Sequence, residues 1–337
     1  MTDFQTEKQL VARFHSELDQ ATPGAEAEVL ARHTAPDYRF RGVHPFNEID
    51  NAEGVAEALW SPLRSAVKPL QRRDDIMLAG HSEDDTVWVH HMGHFMGLHD
   101  EPWLGIPPTG RMLFVRYAEF NQVADGKILQ TGLFIDLLSV LQQAGFSPLP
   151  AQTGSEFIIP GPRTHDGVLT DPCPPEEGAA TLELVNRMCD DLFASYGTRV
   201  HPDLLRRTWH EDMIWYGPTG IGSTYTIPRY QLQHQWPFRE GHENINFNGH
   251  VCRIAEGHYA GWFGWPNLTL TPAGGFMGLP ANDGRVDMRV VDVYRREGDL
   301  LAENWVFIDL PYYLLQQGVD VLARSLEIRQ HHALNSR

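Results

Sequence analysis

The chain carries the same sequence pattern twice. Phe134-Ile135-Asp136-Leu137 recurs 173 residues later as Phe307-Ile308-Asp309-Leu310, and a Leu-Gln-Gln segment follows each copy. Gly105-Ile106-Pro107 recurs at the same spacing as Gly278-Leu279-Pro280. Repeated landmarks in one order and at one spacing indicate a tandem duplication of a domain of roughly 150 residues. Any site that the fold supports can therefore exist in two copies.

Each half of the chain begins with helical periodicity and continues with alternating strands. Apolar residues recur at helical spacing in residues 10–18 and again in residues 182–192. The pattern then changes to a period of two, as in residues 112–123 and 286–294. Each half is therefore predicted to contain three helices followed by a meander of long antiparallel strands, which is an α+β pattern.

A proline-rich segment separates the two copies. Residues 146–178 contain seven prolines and several glycines, a composition typical of a semi-stiff linker. This predicts a first domain at residues 1–145, a linker at residues 146–178 and a second domain at residues 179–337.

The composition favours a soluble globular protein. The 337 residues are 42% hydrophobic and 21% charged, and the net charge of −17 disfavours nucleic acid or an anionic membrane as a partner. No run of about 18 apolar residues occurs, and the N-terminus lacks a signal-peptide pattern, so a cytoplasmic location is expected. Cys173, Cys189 and Cys252 are odd in number and are expected to be free thiols.

Four histidines lie close together in the first half, at His90, His91, His94 and His99. On a strand, His90 and His94 point to one face and His91 to the other, so this strand alone does not bring three ligands together without help from other strands. No HExxH or other helical zinc-ligand spacing occurs. The sequence therefore predicts no metal site.

Several motifs together resemble a known family. Residues 103–111 read Trp-Leu-Gly-Ile-Pro-Pro-Thr-Gly-Arg, an Asp-Gly-Lys turn lies at residues 125–127, and the next strand ends in Phe-Ile-Asp-Leu-Leu. This arrangement resembles the SnoaL-like polyketide cyclase family of the nuclear-transport-factor-2-like (NTF2-like) superfamily. The resemblance covers both copies and implies two tandem cone domains, each with N-terminal helices packed on a curved antiparallel sheet. It also implies that the two domains form an internal pseudo-dimer.

The last strand of each copy ends in an aspartate. Trp305, Phe307 and Asp309 share one face of the strand. A carboxyl beyond two aromatic side chains is a candidate for a raised pKa, which a general acid/base working near neutral pH needs. The resemblance implies that Asp309, and Asp136 in the first copy, moves protons during an aldol closure. Either aspartate can instead cap the helix that follows it.

An arginine recurs at the equivalent position of the neighbouring strand. Arg116 and Arg289 are 173 residues apart on apolar strand faces, where a buried guanidinium needs a partner. The adjacent aspartate is the expected partner, either in a structural ion pair or in a pair that orients a substrate oxygen. In the second copy, Asp287, Arg289 and Asp309 resemble the site of limonene-type epoxide hydrolases, whereas Phe114 replaces the first aspartate in the other copy.

The second copy is richer in aromatic and polar pocket candidates. His234 on the third helix and His258 on a strand are expected to face each other across the cone and to orient the substrate. The side chains expected to bind the substrate are Trp215, Tyr216, Trp236, Trp262, Trp305, Phe307 and Arg116. The working site is therefore predicted in the second copy.

These observations predict a cofactor-independent acid/base enzyme of the SnoaL-like cyclase type. Its partner would be a small hydrophobic or aromatic carbonyl compound, bound without a metal or cofactor. Two alternatives remain open: a non-catalytic binding protein for a small molecule, and an epoxide hydrolase that uses Asp287, Arg289 and Asp309. Association into a homo-oligomer is also left open.

Overall fold

The computed structural model describes residues 3–194 and 199–327. These residues form two sheets, one of six strands and one of seven, and each sheet packs against helices from its own half of the chain. The predicted α+β class with two tandem domains is therefore confirmed.

The first domain packs its helices on the six-stranded sheet. In α1 (Gln5–Gln20), Val11, Phe14 and Leu18 are buried at helical spacing. The remaining elements are α2 (Glu26–His33), β1 (Thr34–Gly42), β2 (Asn47–Ile49), α3 (Ala52–Val55), a π-helical turn (Ala56–Trp60), α4 (Ser61–Ala66), β3 (Val67–His81), β4 (Val87–His99), β5 (Met112–Ala124), β6 (Lys127–Ile135) and α5 (Leu137–Gln143). The strand order is β2-β1-β6-β5-β4-β3, with β1 parallel to β6 and the other neighbours antiparallel.

The second domain repeats this layout. Its elements are α6 (Pro175–Ala194), α7 (Pro202–Leu205), β7 (Trp209–Tyr216), β8 (Thr224–Tyr225), α8 (Ile227–Tyr230), a π-helical turn (Gln231–Gln235), α9 (Trp236–Glu240), β9 (His242–Phe247), β10 (Cys252–Glu256), β11 (Tyr259–Pro272), a 3-10 turn (Phe276–Gly278), β12 (Val286–Glu297), β13 (Leu300–Ile308) and α10 (Leu310–Leu315). The strand order is β10-β11-β12-β13-β7-β8, and β9 also pairs with β11. Two short strands, β9 and β10, thus take the place of the long β3. None of the described helices is both long and apolar enough to cross a membrane.

The segment between α5 and α6 forms hydrogen bonds with both domains. The N–H of Met77 in β3 donates to Gly167 O at 2.9 Å. Ser155 exchanges two backbone hydrogen bonds of 2.8 Å with Ser223 of the second domain. Helix α6 begins at Pro175, which lies inside the segment predicted as linker.

The two sheets pack against each other through one face of each. The ring of Phe263 in β11 lies 5.2 Å from that of Phe120 and 5.6 Å from that of Trp88, both in the first domain. Gly132 of β6 allows this approach, because a Cβ atom there would lie 2.9 Å from the Phe263 ring. Each sheet is therefore buried on both faces, by its own helices on one side and by the other sheet on the other, and the two domains form the predicted internal pseudo-dimer.

A buried ion pair joins the domains at one end of this interface. Lys8 Nζ of α1 lies 2.6 Å from Glu256 Oε1 of β10, and both side chains are almost fully buried. Lys8 also donates to Leu169 O at 2.7 Å, while Glu256 Oε2 accepts the N–H of Ala79 at 2.8 Å. One pair thus holds together α1, β3, the connecting segment and β10.

Replacing Lys8 by methionine should lower the free energy of unfolding by about 3–5 kcal/mol, because the change leaves Glu256 buried without its cation. Urea unfolding followed by circular dichroism measures this loss. The matched control is Lys68→Met, since Lys68 lies 3.7 Å from Glu101 in an exposed pair whose loss should cost about 0–1 kcal/mol. Equal losses in the two variants would refute the role given to the buried pair.

Candidate functional site

The aspartate that follows β13 lies in the interface between the domains. Asp309 is fully buried and caps α10, where its carboxylate accepts the N–H of Tyr312 at 3.2 Å. The same carboxylate accepts the backbone N–H of His44, in the first domain, at 3.0 and 3.1 Å. Burial raises the pKa of Asp309, while Arg289 and these hydrogen bonds oppose that rise. Asp309 therefore caps its helix and connects the two domains.

Arg289 pairs with Asp309 in the same interface. Its Nη1 atom lies 3.1 Å from Asp309 Oδ2 and 2.9 Å from Asn47 Oδ1 of the first domain. The guanidinium lies 3.8 Å from the ring centre of Trp265 and 3.6 Å from that of Tyr312. The predicted Asp/Arg pair therefore exists, and its other contacts are those of a packed interface.

The first domain contains the same arrangement with the roles of the domains exchanged. Asp136 caps α5 through the N–H of Ser139 at 3.1 Å and accepts the N–H of Thr219, in the second domain, at 3.0 Å. Arg116 Nη1 lies 4.0 Å from Asp136 Oδ2 and donates to Val306 O at 3.1 Å. Burial lowers the pKa of Arg116 to about 10, although Asp136 opposes this shift. Arg116 and Asp136 border a narrow crevice, which contains about 250 Å³ of empty space including its open mouth.

The aromatic residues near Asp309 and Arg116 pack against the first domain or the connecting segment, apart from Tyr216, which borders a separate cleft. Trp305 stacks on Tyr216 at 5.4 Å and donates its indole N–H to Pro160 O at 2.9 Å. Phe307 lies under Arg116, with 3.9 Å between the guanidinium and the ring centre. Phe307 therefore packs between the domains, and Trp305 packs against the connecting segment.

The epoxide-hydrolase arrangement is not formed. Asp287 Oδ1 accepts a hydrogen bond from the hydroxyl of Thr269 at 3.0 Å. The residues described by the structure include no ion pair between Asp287 and Arg289, so the two aspartates do not flank the arginine as that hypothesis requires.

A cavity lies on the opposite face of the second sheet, under the helices. It contains about 890 Å³ of empty space including its open mouth, and α6, residues 234–239 and strands β7, β11, β12 and β13 surround it. Its aromatic and polar lining residues are Phe193, Trp209, Trp215, Tyr230, Phe238, Trp262, Tyr294, His234, Gln235, Arg239, His250, Asn267, Asp292 and Asn304. On β13, Asn304, Val306 and Ile308 face the cavity, one position out of step with the face that holds Asp309.

Asp292 is the carboxyl group of this cavity. It lies on β12, and Asn304 Nδ2 donates to its Oδ1 atom at 2.8 Å. None of the described cationic side chains forms an ion pair with it. Burial raises the pKa of Asp292 to about 7, although hydrogen bonds from Asn304 and Tyr294 oppose the rise. A carboxyl with this pKa can both accept and donate a proton near neutral pH.

Two stacked histidine–tryptophan pairs form part of the cavity wall. His234 stacks on Trp215 at 3.9 Å, and His250 stacks on Trp262 at 4.1 Å. Burial lowers the pKa of each histidine to about 3, so both imidazoles are neutral near pH 7. Nδ1 of His234 is buried without a hydrogen-bond partner among the described residues.

Two other predicted pocket residues lie outside the cavity. His258 is half exposed, and its Nδ1 atom is 3.5 Å from Glu177 Oε2. The guanidinium of Arg199 lies 4.7 Å from the ring centre of Trp236, and Trp236 is not among the cavity residues. The structure thus brings His234, Trp215 and Trp262 to one cavity, and separates them from His258, Trp236 and the Asp309–Arg289 pair.

The residue of the first domain that corresponds to Asp292 is Glu119, 173 positions earlier, but its surroundings differ. Glu119 Oε2 lies 3.0 Å from His15 Nε2 and 3.2 Å from Arg72 Nη1. Burial raises the pKa of Glu119, but His15, Arg72 and His91 outweigh that effect, so the pKa is lowered. Glu119 is therefore held as a carboxylate, whereas Asp292 can take up a proton.

The sequence contained a signal for Asp292. A carboxylate occurs at the equivalent position of both copies, on the strand face opposite to Arg116 and Arg289. The equal spacing of Glu119 and Asp292 could have marked them as a pair, in the same way as it marked the two arginines. The sequence alone does not show which face of the strand borders a cavity.

Comparison with known proteins gives matches about as long as one domain. Residues 10–144 match the profile of the family described as SnoaL-like polyketide cyclase. A proposed SnoaL-like polyketide cyclase from Jannaschia sp. CCS1 is 25% identical, over 43% of this chain and 95% of that one, with a TM-score of 0.36. IdmH from Streptomyces antibioticus, a proposed polyketide cyclase, is 18% identical over 41% and 98%, with a TM-score of 0.33. TsrD from Streptomyces laurentii is 25% identical over 42% and 95%, with a TM-score of 0.33. No curated protein matches the chain.

The raised pKa of Asp292 predicts a pH-dependent stability. The ordinary pKa of an aspartate is 3.8, and that of Asp292 in the folded protein is about 7. Between these two pH values, folded Asp292 holds a proton that the unfolded chain has released. The resulting stabilisation is complete below about pH 4 and is lost as the pH rises through 7. Asp292→Asn keeps a neutral group at every pH. Its stability relative to the wild type should therefore increase by about 3 kcal/mol between pH 5 and pH 8.

Urea unfolding of both proteins across this pH range measures the difference. Asp287→Asn is the matched control, because it removes a carboxylate from the opposite face of the same strand. A constant difference between Asp292→Asn and the wild type, or the same gain in Asp287→Asn, would contradict the assignment.

Proposed function

We propose that this chain is an acid/base enzyme acting on a small hydrophobic carbonyl compound, because residues 10–144 match the family described as SnoaL-like polyketide cyclase. The site is the cavity of the second domain. The observation that carries this proposal is Asp292, a carboxyl with a pKa of about 7 in the wall of an aromatic cavity. Asp292 thus takes the role of general acid/base that was predicted for Asp309.

The proposed reaction is an intramolecular aldol closure in which Asp292 acts first as a general base and then as a general acid. The ionised carboxylate accepts a proton from the carbon next to a carbonyl group, and the C–H electron pair becomes the enolate. The enolate carbon attacks a second carbonyl of the same molecule, and the protonated Asp292 returns its proton to the alkoxide that forms. No net proton or electron is exchanged, so the proposal requires no cofactor.

Polar groups of the cavity would orient the substrate. Gln235 Nε2, Asn267 Oδ1 and His234 Nδ1 are buried without hydrogen-bond partners among the described residues. Leaving such groups unpaired costs about 1–3 kcal/mol each, so a ligand that pairs with them gains affinity. A flat molecule bearing carbonyl and hydroxyl groups would suit this lining of aromatic rings and polar side chains.

A non-catalytic binding protein is the second candidate. The aromatic walls suit a carrier as well as an enzyme. A carrier has no use for a carboxyl whose pKa lies near 7, since burying it destabilises the empty protein at higher pH. Asp292 therefore favours the enzyme.

Exchange of the methyl hydrogens of 2-acetylnaphthalene in D2O tests the proposed proton abstraction. The wild type should accelerate exchange, followed by proton NMR, with a rate that rises with pH through about 7 as Asp292 ionises. Asp292→Asn should lose about 10²–10⁴-fold of this rate, the usual contribution of a general acid/base. Quenching of tryptophan fluorescence checks separately that the ketone still binds.

Asp287→Asn and Asp309→Asn are the controls for this experiment. Both carboxylates lie outside the cavity, so exchange should continue, although Asp309→Asn should be less stable. Loss of exchange in Asp309→Asn, with exchange retained in Asp292→Asn, would identify Asp309 rather than Asp292 as the general acid/base. Binding of the ketone without wild-type exchange would favour the carrier.

A further inference from the structure

A second cluster of titratable groups lies inside the first domain, away from the proposed site. His15 of α1, Asp74 of β3 and His91 of β4 each offer a ligand atom, and these atoms all lie within 4.8 Å of one another. The side chains of His15 and His91 are almost completely buried. His91 is one of the four histidines that lie close together in residues 90–99. Its two neighbours in the cluster, His15 and Asp74, come from α1 and β3.

The charge around the cluster is negative. Asp74, Glu119 and Asp19 are the carboxylates, and Arg72 is the described cationic side chain that pairs with two of them, at 3.2 Å from Glu119 and 3.3 Å from Asp19. Three carboxylates and one guanidinium therefore surround the two histidines. An uncompensated charge in a protein interior is costly, so the cluster favours an added cation.

Each of the two imidazoles has a ring nitrogen that is available to a ligand. Nδ1 of His15 and Nδ1 of His91 are buried without a hydrogen-bond partner among the described residues. The other nitrogen of His15, Nε2, lies 3.0 Å from Glu119 Oε2. A carboxylate that holds the far nitrogen of a ligating histidine is a usual outer contact of metal sites. The hydroxyl of Tyr117 similarly donates to Asp74 Oδ1.

We propose that the first domain binds one divalent transition-metal ion, such as Zn²⁺, through His15 Nδ1, His91 Nδ1 and the carboxylate of Asp74. Two imidazoles and one carboxylate form a donor set that suits Zn²⁺ and its first-row neighbours. Metal–ligand bonds of about 2.0–2.2 Å require these atoms to approach to roughly 3.3 Å from one another, a small inward movement of the side chains. The positive charge of the ion would add to that of Arg72 in compensating the carboxylates of the cluster.

Metal analysis of the full-length protein tests this proposal. After dialysis against a chelator, the protein is incubated with Zn²⁺ or Co²⁺ and desalted. The wild type should retain about one equivalent, gain thermal stability, and show visible Co²⁺ absorption bands of nitrogen and oxygen ligation. His91→Gln and Asp74→Asn should lose the bound metal, whereas Glu119→Gln should bind about 10–100-fold more weakly.

His94→Gln is the matched control, because His94 lies on the same strand and pairs with Asp75 at 3.3 Å outside the cluster. This variant should bind metal like the wild type. Metal retained equally by His91→Gln would come from surface histidines and would overturn the proposal, as would a wild type that retains no metal. If His91→Gln fails to fold, the nitrogen NMR signals of His15 and His91 in the wild type decide: no shift on adding Zn²⁺ overturns the proposal.

Discussion

The packing of one curved sheet on the other determines which strand positions can hold an ionised side chain. Helices cover one face of each sheet, and the partner sheet covers the other through Phe263, Phe120 and Trp88. Side chains on both faces of the central strands therefore leave water. Every carboxylate on those strands must be paired, accept backbone hydrogen bonds, or become protonated.

The carboxylates of these strands and strand ends satisfy this constraint in three ways. Asp309 and Asp136 accept N–H groups from their own helix and from the other domain, and each has an arginine nearby. Glu119 remains ionised between His15 and Arg72. Asp292 pairs with no cation among the residues that the structure describes, and its pKa rises to about 7. The duplicated fold thus gives equivalent strand positions different surroundings: Glu119 is surrounded by charged and polar side chains, whereas Asp292 lines an aromatic cavity.

Much of the fold could be predicted from the sequence because local patterns encode it. The repeated landmarks and the change from helical to alternating periodicity predicted two α+β domains, and the equal spacing of Arg116 and Arg289 predicted an Asp/Arg pair in each. The face of the strand was harder to assign. Alternation identifies a cavity when the other face is polar, but here Trp305 and Phe307 are as apolar as Val306 and Ile308, because a second sheet buries the face that would otherwise meet water.

The sequence by itself determined the duplication, the order of helices and strands, and the pairing of Asp309 with Arg289, because these depend on neighbours in the chain or on an equivalent repeat. The tertiary structure decided that this pair joins the domains, that Asp292 faces the cavity, and that His15 and Asp74 meet His91. Those outcomes depend on which surfaces lose water when distant segments pack together. Desolvation and the distance to an opposite charge set the pKa of a carboxyl, and neither quantity is a property of the residues beside it in the chain.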